Sequence, residues 1–93
     1  MAKFVIKKDG EKEPFDVKKI EASIKAAASE ANLPEERANE VVKQVSNAAI
    51  QLAEEKEEIA TAEIKEKILS ELDALEPSVS ETWRKHEQEK GEV

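Results

Sequence analysis

The first twenty residues constrain the fold of this chain more than any other segment. A short predicted strand with the apolar run Phe4-Val5-Ile6 ends in two lysines, which the pair Asp9-Gly10 follows. This pair predicts a β-hairpin with a primed turn, because glycine accepts the positive φ that such a turn requires. The return strand ends near Phe15, and Asp16 is a good N-cap for a helix that begins at once. The hairpin must therefore fold down against the start of a helix.

The rest of the chain has helical periodicity in four stretches. Apolar residues, mostly alanine, valine, isoleucine and leucine, recur at spacings of three and four residues. Pro34 and Pro77 suit the first turns of the second and fourth helices, and Thr61 suits the N-cap of the third. The segment Glu58-Ile59-Ala60 is interpreted as a third strand that pairs with the hairpin, because an isolated two-stranded hairpin is marginally stable in water.

These patterns predict an α+β fold, a small four-helix bundle capped by an N-terminal β-hairpin and a short third strand. The 93 residues suffice for a single domain, residues 1–93. We expect strands at about 3–7, 12–15 and 58–60, and helices at about 17–31, 34–55, 62–75 and 78–90.

Composition argues against several classes of function. The formal net charge of −7 opposes direct binding to nucleic acid or to an anionic membrane, because clustered positive charge supplies that affinity. There is no stretch long enough to span a bilayer and no signal-peptide pattern, so we expect a cytoplasmic location. The lack of cysteine removes thiolate metal sites and thiol nucleophiles. A single histidine, His86, gives no basis for a metal site.

No arrangement of residues in the sequence indicates catalysis. With two glycines the chain has neither a P-loop nor a dinucleotide-binding fingerprint, and no Ser-His-Asp arrangement can be placed.

Three lysines, Lys7, Lys8 and Lys19, gather where the hairpin meets the first helix, and a triphosphate needs such ammonium donors. Taken alone, their spacing is explained more simply by solvated surface lysines. Thr61 and Trp83 likewise have ordinary explanations, as a helix cap and as a core residue.

Four segments, in order along the chain, resemble the ATP-cone family. The segment from Val5 to Gly10, followed by Phe15 and Lys19-Ile20, resembles the family's Val-x-Lys-Arg-Asp-Gly hairpin with its later Phe and Lys-Ile pair. The other three segments resemble the link between the first two helices, an Ile-x-Thr-x-x-Ile stretch and the last helix of the family. They are Leu33–Glu35, Glu58–Ile64 and Pro77–Lys85. The resemblance covers nearly the whole chain.

The resemblance implies an allosteric domain that binds ATP or dATP, with magnesium, and has no catalytic activity of its own. The regulated partner would be of the ribonucleotide-reductase type, or another copy of the chain. In this interpretation the two hairpin lysines hold the phosphates, apolar residues wall the nucleotide, and two carboxylates lie near the base. The implied binding residues are Val5, Lys7, Lys8, Glu13, Phe15, Asp16, Lys19, Ile20, Thr61, Ile64 and Lys65.

Some positions depart from the family pattern. Lys8 stands where arginine is usual, which replaces a bidentate fork by a point charge, and His86 stands where tyrosine is common. The basic residue that the last helix often contributes is either Lys85 or Lys90. These departures keep a second hypothesis open, in which a degenerate ATP-cone fold acts as a protein-interaction or self-association module without nucleotide binding. A third hypothesis, an enzyme such as a nucleotidase, has the least support.

Overall fold

The computed structural model describes residues 3–89, and the side chains of residues 3–88. Its elements follow in the order β1 (Phe4–Ile6), β2 (Lys12–Pro14), α1 (Val17–Glu30), α2 (Glu35–Glu54), β3 (Glu58–Ala60), α3 (Thr61–Leu75) and α4 (Pro77–Glu89). The sheet order is β2-β1-β3, with β1 antiparallel to β2 and parallel to β3. The predicted α+β class, with the third strand joined to the hairpin, is confirmed. The predicted end of the last helix, at residue 90, lies outside the described residues.

The hairpin turn differs from the primed two-residue turn that the sequence predicts. The Gly10 amide donates to the Lys7 carbonyl at 2.9 Å, and the Lys7 amide donates to the Glu11 carbonyl at 2.8 Å. Gly10 has a φ of +90°, whereas Asp9 does not have a positive φ. The loop therefore contains three residues, 8–10, with glycine in the third position. Lys7 and Glu11 flank this loop, and β1 ends at Ile6, so it is shorter than predicted.

The link between α1 and α2 is a compact reversal. Asn32 adopts a left-handed φ of +64°, and the next amide, that of Leu33, donates to the Ala28 carbonyl at 3.1 Å. This Schellman-type ending satisfies carbonyls that α1 would otherwise leave unpaired. Pro34 then serves as the N-cap of α2, and not as part of its first turn as predicted.

The core lies where the four helices meet beneath the sheet. Alanines at five buried positions allow close helix packing, because they leave no bulky side chain between the backbones. Larger side chains fill the remaining space, and Trp83, only 4% exposed, is one of them. Its indole Nε1 donates to the Ser23 hydroxyl at 3.0 Å, which ties α4 to α1. The fully buried larger apolar residues are Ile24, Val41, Val45, Ile59, Leu72 and Val79.

A second cross-link lies at the opposite end of the bundle from the sheet. Arg37 Nε donates to the Glu76 carboxylate at 2.7 Å and so joins the start of α2 to the residue between α3 and α4. The hydrogen bond with Glu76 raises the pKa of Arg37 above its ordinary value. Over residues 3–89, none of the helices has the length and apolar character needed to cross a membrane.

Candidate functional site

Three adjoining depressions lie where the sheet meets α1, α3 and α4, and we call this region the sheet corner. The central depression, of about 260 Å³, lies between the hairpin, α1, α3 and α4. The hairpin depression, of about 150 Å³, lies between the hairpin and the starts of α1 and α3. The strand-end depression, of about 360 Å³, lies between the end of β1 and the start of α3. Thr61 borders all three.

Each of the eleven residues implied by the family resemblance lies at the sheet corner. Four line the hairpin depression alone, namely Val5, Phe15, Asp16 and Ile64. Three more, Glu13, Lys19 and Ile20, line both the hairpin and the central depression. Lys7 and Lys65 line the central and strand-end depressions, and Lys8 lines the strand-end depression. The fold thus brings together side chains that come from β1, β2, α1 and α3.

Thr61 holds the corner together in a way that its predicted role does not include. The predicted N-cap of α3 is wrong, because Ala60 occupies that position and Thr61 is the first helical residue. The Thr61 hydroxyl instead donates to the Ile6 carbonyl at 2.7 Å. This bond fastens the start of α3 to the end of β1. The N-terminus of α3 consequently has no side-chain cap.

Four lysines border the corner, and two of them have carboxylate partners there. Lys7 Nζ lies 3.8 Å from Glu13, and Lys65 Nζ lies 2.9 Å from Glu87. The Lys7 and Lys65 side chains are 31% and 25% exposed, so both are partly shielded from solvent. Lys8 and Lys19 are exposed. The region therefore concentrates ammonium groups on a chain whose net charge is −7.

An apolar wall faces the hairpin depression beside these charges. Ile64 is 5% exposed and belongs to the core. Val5, Phe15 and Ile20 are partly buried and pack against the core. The nearby Asp16 carboxylate accepts from the Lys18 amide at 3.0 Å and caps α1 as its sequence predicts. The corner thus combines an apolar surface suited to a flat ring with cations suited to phosphates.

The sequence profile of the ATP cone domain matches residues 3–87, which is nearly the whole chain. This chain belongs to the ATP-cone family. ATP-cone domains are regulatory, bind adenine nucleotides and are not catalytic themselves. The predicted family is confirmed. Among curated proteins, none matches the chain significantly.

The last helix of this ATP-cone domain presents an acidic side chain to the corner. Lys85 is exposed and lines none of the three depressions, and Lys90 lies outside the described residues. Trp83 and Glu87 line the central depression instead. Sequence reasoning missed this role for Glu87, although its spacing of four residues from Trp83 places both on one helix face. His86 contacts the Glu30 carboxylate at the end of α1.

Proposed function

We propose that this ATP-cone domain binds ATP or dATP, as the magnesium complex, at the sheet corner, and that the nucleotide acts as an allosteric signal without being converted. One observation carries the proposal. The uncapped N-terminus of α3 opens at the strand-end depression, which Lys7, Lys8 and Lys65 also border. A helix N-terminus supplies amide donors and a positive dipole, and the lysines supply charge. The combination suits a polyphosphate.

The neighbouring hairpin depression suits the adenine. Phe15, Ile20 and Ile64 form its apolar side, while Glu13 and Asp16 supply carboxylates near its rim. A carboxylate accepts hydrogen bonds from an amino group such as the one on adenine. The base would therefore lie under the hairpin, and the phosphates would extend past Thr61 toward the strand-end depression. The nucleotide would thus extend from the hairpin depression, past the central depression, to the strand-end depression.

The regulatory role requires two states of the protein. A bound nucleotide shifts an equilibrium only if its affinity for the two states differs. In our proposal the second state is a complex, either with a partner of the ribonucleotide-reductase type or with another copy of this chain. The predicted cytoplasmic location, where adenine nucleotides are available, is part of the same proposal.

Isothermal titration calorimetry with magnesium ATP and magnesium dATP tests the binding step. We expect saturable heat with both, and magnesium GTP serves as the matched ligand with a different base. Thermal unfolding gives an independent measure, because ligand at a hundred times its Kd stabilises the folded state by about 2.7 kcal/mol. An absence of heat and of any thermal shift with millimolar ATP and dATP would overturn the proposal. Tight self-association that ATP leaves unchanged on a sizing column would then favour the interaction module.

A further inference from the structure

The central depression contains a carboxylate that is positioned to meet a ligand. Glu87 comes from α4, and its side chain is only 17% exposed, although it lies in the wall of an open depression. Its Oε1 atom is 2.9 Å from Lys65 Nζ on α3. In the part of the chain that the structure describes, every other carboxylate in an ion pair with lysine or arginine is more exposed. The α3–α4 side of the corner therefore contains a shielded ion pair.

The ion pair lies beside the uncapped end of α3. Lys65 follows Thr61 by one helical turn, so it shares the face of α3 that borders the strand-end depression. A phosphate that reaches the start of α3 therefore approaches the same ammonium group that Glu87 contacts. Two anions at one partly shielded site repel each other, because solvent screening is weaker there than at an exposed surface.

We propose that Glu87 is an internal competitor of the nucleotide phosphates for Lys65. This inference rests on the proposed function and deepens it. With the corner empty, the Glu87 carboxylate pairs with Lys65 and joins α4 to α3. When a polyphosphate binds, its negative charge displaces that carboxylate and weakens the link between the two helices.

Two consequences follow from this competition. Glu87 lowers the affinity for ligands with several phosphates but not for adenosine, so it is a residue that determines selectivity by phosphate number. The loss of its contact with Lys65 also gives the bound and empty states different attachments of α4. Such a difference is what an allosteric signal requires.

The central test measures ATP and adenosine affinity by calorimetry for the wild-type chain and for Glu87→Gln. Glutamine has nearly the same shape as glutamate but no charge. We expect the Kd for ATP to fall about three- to tenfold in this variant, with the Kd for adenosine unchanged. A residue with a merely structural role would not improve binding when it is altered.

Glu71→Gln is the matched control. It makes the same change in net charge, but Glu71 pairs with Lys67 at 3.6 Å and lines none of the three depressions. Its effect on the Kd for ATP should stay below about twofold. An equal gain in both variants would mean that net charge alone causes the effect, and it would overturn the competitor role.

A measurement on the wild-type chain keeps the proposal testable even if Glu87→Gln does not fold. The side-chain carboxyl carbon of Glu87, observed by NMR with carbon-13 labelling, should shift on addition of ATP and remain in place with adenosine. An unmoved signal in a chain that binds ATP, or an unchanged or weaker ATP affinity in folded Glu87→Gln, overturns the competitor role alone. If the wild-type chain binds no nucleotide, the proposed function itself is overturned.

Discussion

Two regions of this molecule are bordered by lysines, and they differ in what else they contain. At the sheet corner, lysines lie beside an apolar wall and the start of α3. The α1–α2 groove, an open depression of about 540 Å³, is lined by Lys18, Lys25 and Lys43 together with polar neighbours. It is larger than any one of the three depressions at the sheet corner, yet its apolar lining consists only of Ala22 and Val42. It also runs along the sides of two helices, where backbone amides are already used in helical hydrogen bonds.

Lysines and volume do not by themselves make a nucleotide site. At the sheet corner a strand ends and an uncapped helix begins, so backbone donors are available beside the cations. The hairpin depression adds an apolar wall to which Phe15 and, from α1, Ile20 contribute. In the α1–α2 groove, by contrast, Lys25 donates to Asn39 at 2.9 Å and joins the two helices.

Removing lysines from each region should give the largest contrast between them. In the double variant Lys7→Ala, Lys8→Ala, we expect the affinity for ATP to fall by about a hundredfold or more, because each contact between a charged donor and a phosphate contributes about 1.5–3 kcal/mol. The double variant Lys25→Ala, Lys43→Ala changes the net charge equally and should bind ATP as the wild type does. Calorimetry measures both, and circular dichroism checks that both fold. A similar loss from both pairs would remove the distinction between the regions.

Replacing one partly buried threonine hydroxyl in each of two places should have a smaller effect, and it should separate changes in folding stability from changes in ATP affinity. Thr61 and Thr82 each donate a hydroxyl hydrogen bond of 2.7 Å to a backbone carbonyl of another element, Ile6 for the first and Ala27 for the second. Thr61→Val and Thr82→Val should each lower the free energy of unfolding by about 1 kcal/mol in urea denaturation. Only Thr61→Val should also weaken ATP binding, since it loosens the junction between β1 and α3. Equal ATP affinities in the two variants would contradict this role of Thr61.

The smallest effect concerns Asp73, which lines neither region. The Ser80 hydroxyl, followed by Arg84, lowers the pKa of Asp73 below its ordinary value of 3.8. The folded state thus favours the charged form, and this contribution to stability is present above pH 3.8 and is lost as the pH falls through the lowered pKa.

Asp73→Asn should therefore be slightly less stable than the wild type at pH 7, and the difference should disappear in strong acid. Thermal unfolding across this pH range measures the difference, and ATP affinity at pH 7 should not change. A stability difference that persisted undiminished below the lowered pKa would contradict the assigned cause.

Much of the fold could be predicted because it depends on neighbouring residues. Asp16 caps α1, and the strand before Thr61 joins the hairpin, as the local patterns indicate. The sequence predicts the turn less well, because Asp9-Gly10 is compatible with more than one loop length. The pairing of Phe4 with Pro14 and of Ile6 with Lys12 sets the register, and that register requires the three-residue loop.

The candidate site, like the fold, can be predicted only in part from the sequence. The family resemblance named eleven residues that the fold brings to one corner. It did not name Glu87, nor did the sequence indicate that the Thr61 hydroxyl bonds to Ile6. The Thr61–Ile6 bond joins residues 55 positions apart, and the Lys65–Glu87 ion pair depends on how α3 and α4 pack, so the spacing of residues within one element indicates neither contact.

The family, the α+β class and the concentration of lysines near the hairpin follow from the amino-acid sequence, since periodicity, turn residues and motif order are properties of short segments. The three-dimensional packing, in contrast, sets which helix start lacks a side-chain cap, which lysines acquire carboxylate partners and which side chain of α4 lines the corner. Those outcomes depend on how α3 and α4 pack against each other and against the sheet, and that packing follows from burial of the whole core.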